Sequence, residues 1–131
     1  MLKIKYNNNI KVEKQLLNTG VTAERPKICV IPEDNSYYSL IMYDADAVEP
    51  DFLHLLIINI NKKIKPNELI DYAPPNPPTG TGIHKYVFVL CTQPNVLKVG
   101  KIKKRESFNT KEFITKHKLN IVDYNYFTVA S

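Results

Sequence analysis

Long apolar runs, cysteine and arginine are all scarce in this sequence, and each scarcity removes a class of protein. The longest apolar stretch, Phe52 to Ile58, spans seven residues and is interrupted by His54. A bilayer span needs ~20 apolar residues, so no transmembrane segment is expected. Met1 to Tyr6 lacks an apolar h-region and a small-residue cleavage site, which points to the cytoplasm rather than to secretion. Two cysteines, Cys29 and Cys91, each stand in an apolar run. They make neither a metal cluster nor a disulfide framework, and they fit a reducing compartment. Of the 18 basic residues only Arg25 and Arg105 are arginine. Arginine is the side chain that forks onto phosphates and base edges, so the net charge of +5 does not mark a nucleic-acid reader. The abundance of lysine, asparagine and isoleucine is the codon signature of an AT-rich genome, that of a large DNA virus or of an AT-rich microbe. In the viral case the compartment is the host-cell cytoplasm.

What is present describes an ordinary globular chain. Its 131 residues are 44% apolar and 24% charged, which predicts one domain over 1–131 that buries roughly two-thirds of its unfolded surface. Leu2 to Tyr6 alternates apolar and polar residues, as a half-buried strand does. Asn7–Asn9 and Asp34–Ser36 read as turns, and Ile28 to Ile31 as a short apolar run stopped by Pro32. Tyr37–Tyr43 and Phe52–Ile60 are too continuously apolar to have a solvent face, so both are expected to be central strands. Between them lies an acidic loop, Asp44 to Asp51. Asn61 to Glu68 reads as a polar surface connection. Tyr72 to Gly82 holds four prolines and two glycines, which specify a stiff extended loop. His84–Cys91, Val96–Ile102 and Ile121–Val129 are read as further strands. The one helix expected is capped by Asn109 with Glu112 reaching back, and shows Phe113 and Ile114 on its apolar face. The pattern is mainly β, a sandwich built on a large central sheet with one short helix.

Side-chain alternation places His84 and Tyr86 on one face of their strand and Lys85 on the other. An imidazole and a phenol projecting together beside glycine backbone make an anion cradle. Asp44 and Asp46 share a face if the extended conformation continues past Asp44. The run Pro77-Pro78-Thr79-Gly80-Thr81-Gly82-Ile83-His84-Lys85-Tyr86-Val87-Phe88 resembles the second signature of the phosphatidylethanolamine-binding protein family, a Pro-Pro pair followed by Gly-x-His-Arg-Tyr and an apolar strand. Asp44-Ala45-Asp46-Ala47-Val48 resembles the first signature, Asp-Pro-Asp-x-Pro, and His54 stands where the family has the histidine of a His-Trp pair.

That resemblance implies a β-sandwich with a large central antiparallel sheet, in the short form without a C-terminal helix. It implies a non-enzymatic binding protein with a small pocket for phosphate or phospholipid head groups, lined by Asp44, His54, Pro77, Pro78, His84 and Tyr86. Gly82 gives close backbone approach, and Asp46 and Lys85 give structural support. It further implies kinase or protease partners, and neither cofactor nor metal. Ala45 and Val48 replace the first signature's prolines, Leu55 replaces the tryptophan, and Lys85 the arginine. Pro74 and Pro75 read as loop stiffeners, and Lys98 to Arg105 as a solvated edge with weak membrane-surface contact as its sharper reading. The alternative function is a metal-dependent or His/Asp hydrolase using the same pocket.

Overall fold

The computed structural model describes residues 1–32 and 34–131. Its chain order is β1 (Leu2–Tyr6), β2 (Ile10–Lys11), β3 (Leu16–Leu17), β4 (Lys27–Val30), β5 (Tyr37–Asp44), β6 (Phe52–Ile60), β7 (Asn67–Ile70), β8 (Ile83–Gln93), α1 (Thr110–Lys116) and β9 (Asn120–Ala130). A six-stranded sheet runs β3-β9-β8-β5-β6-β7, and a three-stranded sheet runs β2-β1-β4. All its pairings are antiparallel except β3 with β9. Mainly β with one short helix is therefore the observed fold.

The central strands β5, β6 and β8 are buried on both faces, as their unbroken apolar runs require. One face carries Leu40, Met42, Leu55, Tyr86, Phe88 and Phe127, and packs against Leu2, Ile4 and Tyr6 of the small sheet. The other carries Ile41, Leu53, Leu56, Ile58 and Val89, covered by Phe113 of α1 and by Leu97, Val99 and Ile102. The Asn109 side chain accepts the Glu112 backbone N–H at 2.9 Å, closing the first turn of α1.

Two readings of the sequence are corrected. Val96–Ile102 is not a strand. Leu97, Val99 and Ile102 pack against the core, yet the main chain docks through single contacts, Leu97 N–H to Asn59 Oδ1 and Ile102 N–H to the Leu69 carbonyl. Half-burial without a ladder produces the same alternation as a strand. The surface connection after β6 is shorter than Asn61–Glu68, because Asn67 and Glu68 already pair with Ile58 and Ile57 as β7.

Candidate functional site

The site begins with an irregularity. Met42 pairs with Leu55 and Tyr43 with Leu53, so His54 is the one extra residue of a β-bulge in β6. Bulges re-aim side chains, and this one turns the His54 ring toward Tyr86, 5.2 Å away edge to face. Arg105 holds the bulge. One guanidinium nitrogen donates to the carbonyls of both Leu53 and His54 at 3.1 Å, and the other donates to the Asp71 carbonyl and carboxylate at 2.8 Å. The solvated-edge reading of Lys98 to Arg105 therefore fails at Arg105, whose fork satisfies main-chain carbonyls that a lysine could not bridge together.

His54 Nδ1 donates to the Ala73 carbonyl at 2.5 Å, and the Ala73 N–H returns a bond to the His54 carbonyl. Burial pulls the His54 pKa below its ordinary value, against the lifting effects of the Ala73 carbonyl and the Asp44 charge. Among the described residues its Nε2 has no hydrogen-bond partner, whereas the Tyr86 hydroxyl lies near the Asp44 carboxylate, to which it can donate. Thr110 Oγ1 is the one fully enclosed side-chain polar atom without a partner among the described residues, so His54 Nε2 keeps an opening. Burial, then the nearby Asp44 charge and a hydrogen bond to the Asp44 carboxylate, push the Tyr86 phenol far up, so Tyr86 stays a hydrogen-bond donor at any physiological pH.

His84 is differently committed. Nδ1 donates to Asp44 Oδ2 at 2.8 Å, and Nε2 lies 2.7 Å from Thr81 Oγ1. The Thr81 hydroxyl itself donates to the Pro78 carbonyl at 2.6 Å. Both ring nitrogens thus already have protein partners, which ties β5, β8 and the proline loop into one unit. Asp44 Oδ1 accepts the Asp46 N–H, and Asp46 Oδ2 accepts the Lys85 N–H. The chain turns after Asp44, so the two carboxylates do not share a face.

These elements enclose a cavity of about 470 Å³. Asp44, His54, Pro77, Pro78, His84 and Tyr86 all line it, and so does Pro74, which does more than stiffen its loop. Gly82, Asp46 and Lys85 lie outside the lining. Gly82 has φ +90° and open space where a Cβ would stand, so positive φ, rather than close approach, is what calls for glycine there. Its N–H and carbonyl bond Ser131. The Lys85 ammonium sits 4.6 Å over the Tyr126 ring instead of pairing with Asp46. Glu49 and Glu106, both exposed and unforeseen from sequence, add carboxylates to the cavity wall. Glu49 stands in the acidic loop after β5 and Glu106 in a distant loop, and only the tertiary fold brings the two to one rim. Among the described residues, no group of three or more His, Cys, Asp or Glu could hold a metal ion, and no helix is long and apolar enough to cross a membrane.

Residues 3–127 match the family described as "PBP: Phosphatidylethanolamine-binding protein". The chain is 33% identical over 108 residues to the rice (Oryza sativa subsp. japonica) "Protein MOTHER of FT and TFL1 homolog 2", covering 73% of this chain and 61% of that protein. It is 28% identical to the "26 kDa secreted antigen" of Toxocara canis, covering 90% of this chain and 51% of the antigen. The chain thus spans between half and two-thirds of the length of these curated relatives. Among solved structures, a carboxypeptidase Y inhibitor complexed with its cognate proteinase superposes with a TM-score of 0.83 at 24% identity, covering 98% of this chain and 81% of that one. The phosphatidylethanolamine-binding protein from Plasmodium vivax gives 0.80 at 21% identity, covering 98% and 83%.

Proposed function

The chain belongs to the phosphatidylethanolamine-binding protein family, and on that footing we propose a non-enzymatic binding protein whose cavity takes a phosphoethanolamine-type head group. Occupancy of the cavity modulates a protein partner of the kinase or proteinase class. The observation that carries this reading is a cavity lined by His54, whose Nε2 has no hydrogen-bond partner among the described residues, and by the Tyr86 hydroxyl, beneath a rim bearing Glu49 and Glu106. Phosphate oxygens accept only, so they suit the Tyr86 hydroxyl and a protonated Nε2. A ligand ammonium suits the rim carboxylates, whereas inorganic phosphate brings no cation and meets them with like charge. Asp44 already accepts from His84 and from the Asp46 N–H, so the exposed rim carboxylates are assigned the ammonium ahead of it. A proteinase partner is supported by the carboxypeptidase Y inhibitor, which is seen bound to its proteinase. A hydrolase is disfavoured because the Thr81 hydroxyl that contacts His84 donates to the Pro78 carbonyl and lies outside the cavity lining.

Calorimetric titration tests the proposal. O-phosphoethanolamine is expected to bind more tightly than inorganic phosphate, and Glu49→Gln/Glu106→Gln is expected to bring the two together. Tyr86→Phe removes a hydrogen bond to a charged group, worth roughly 1.5–3 kcal/mol or about ten- to a hundred-fold in affinity. Equal binding of both ligands by the unaltered protein, or turnover of a phosphoester, contradicts the reading.

A further inference from the structure

The small sheet has two faces, and only the inner one has a task in the fold. Leu2, Ile4 and Tyr6 of β1 point into the core, so alternation sends Lys3 and Lys5 to the opposite side. There the register places Lys11 of β2 and Lys27 of β4 on either flank of Lys5, with Cys29 across from Lys3. Three lysines in one rung are an expense within the sheet, since like charges directly opposite one another destabilise it. Nothing described relieves them. No ion pair of the described residues involves Lys3, Lys5, Lys11 or Lys27. The shallow concavity on this face, about 570 Å³, includes Lys3, Lys5 and Lys27 and has no aspartate or glutamate in its lining. Arg25 also borders it, but its charge is spent on Glu68.

The outward row of β4 continues beyond its last strand residue. Lys27 and Cys29 are exposed, and Ile31, two residues on, is half exposed while its N–H still bonds the Met1 carbonyl. Unpaired ammonium groups and an outward isoleucine therefore share one sheet face. That combination matches a surface that is anionic at the level of its head groups and apolar just beneath. Lysine suits it, because a diffuse anionic surface needs point charges rather than arginine's bidentate fork.

We propose that the outer face of the β2-β1-β4 sheet docks on an anionic phospholipid bilayer. This surface is separate from the head-group cavity, whose lining shares no residue with it, so docking does not require the cavity to be filled.

The test is sedimentation of the full chain with phosphatidylcholine vesicles, made with or without phosphatidylserine. Binding is expected only with phosphatidylserine. At about fivefold per lysine, Lys3→Gln/Lys5→Gln/Lys27→Gln should lower partitioning on the order of a hundredfold. Because that variant relieves the charged rung, its melting temperature should be unchanged or higher. Lys98→Gln/Lys103→Gln/Lys104→Gln removes the same net charge elsewhere and should bind as the unaltered protein does. An excess of soluble O-phosphoethanolamine should leave vesicle binding intact, whatever the titration of the cavity shows. Equal loss in the two triple variants, release by O-phosphoethanolamine, a lowered melting temperature of the first variant, binding to vesicles lacking phosphatidylserine, or tighter binding to duplex DNA at the same salt would each overturn the proposal.

Discussion

A ring nitrogen whose only neighbour is a carbonyl must carry a proton, and that fixes what His54 presents to the cavity. Nδ1–H is committed to Ala73, so the neutral ring offers the cavity a lone pair on Nε2, and only the imidazolium offers a donor there. Burial keeps the ring neutral at pH 7 by lowering its pKa. A phosphomonoester is mostly dianionic at that pH, its second ionisation lying near ~6. The proposed complex would therefore hold one proton more than its separated parts, carried on Nε2. Affinity for O-phosphoethanolamine should strengthen as pH falls, by about tenfold per unit from pH 8 to pH 7, and level off near the phosphate ionisation. His54→Gln places a permanent amide donor in the cavity and should flatten this dependence. A calorimetric pH series would check both, and a pH-independent affinity in the unaltered protein would count against His54 as a ligand group. Asp44, His54, His84 and Tyr86 could all be picked out in the sequence by residue type and by family spacing. What the sequence left dark was which ring nitrogens are free. That depends on Thr81 and Ala73, two loop residues with no distinguishing chemistry of their own.

At the scale of elements, the bulge at His54 organises the site. In an unbroken strand His54 would face away from Leu55. Here Leu55 packs with Tyr86, Leu53 lies in the opposite core, and His54 joins the Tyr86 side. A bulge is a relation between two strands, so the residues of β6 could not announce it. Strand identity was readable because β1, β5, β6, β8 and β9 are long and strongly patterned. Val96–Ile102 misled because a half-buried coil alternates as a strand does. Arg105 was missed because its value lies in four acceptors drawn from other segments. Arg105→Lys should therefore weaken head-group binding severalfold although Arg105 does not line the cavity. A lone ammonium cannot hold the Leu53 and His54 carbonyls together with Asp71. If the bulge is what positions His54, the same variant should also shift the His54 ring resonances in the free protein. Unchanged affinity and unchanged resonances would show that the bulge holds without its clamp.

Across the whole molecule, the central sheet is a frame with the candidate site and the lysine face at its margins. Its two faces are filled by core packing. The cavity opens at the end where β5 leaves, β6 begins and β8 emerges from the proline loop, and the lysine face lies on the far side of the small sheet. Rigid strands fix Asp44, His84 and Tyr86, while the loops contribute the rim. Loop substitutions should thus alter which head group is preferred more than whether the chain folds. The most direct measurement is a nitrogen-detected NMR spectrum of the histidine side chains at pH 7, recorded while O-phosphoethanolamine is added. The account predicts that His54 Nε2 moves from its lone-pair position toward that of a proton-bearing nitrogen as the ligand saturates, while both His84 nitrogens, already held by Asp44 and Thr81, stay nearly still. A saturating ligand that moves His84 and leaves His54 unchanged, or that moves neither, would contradict it.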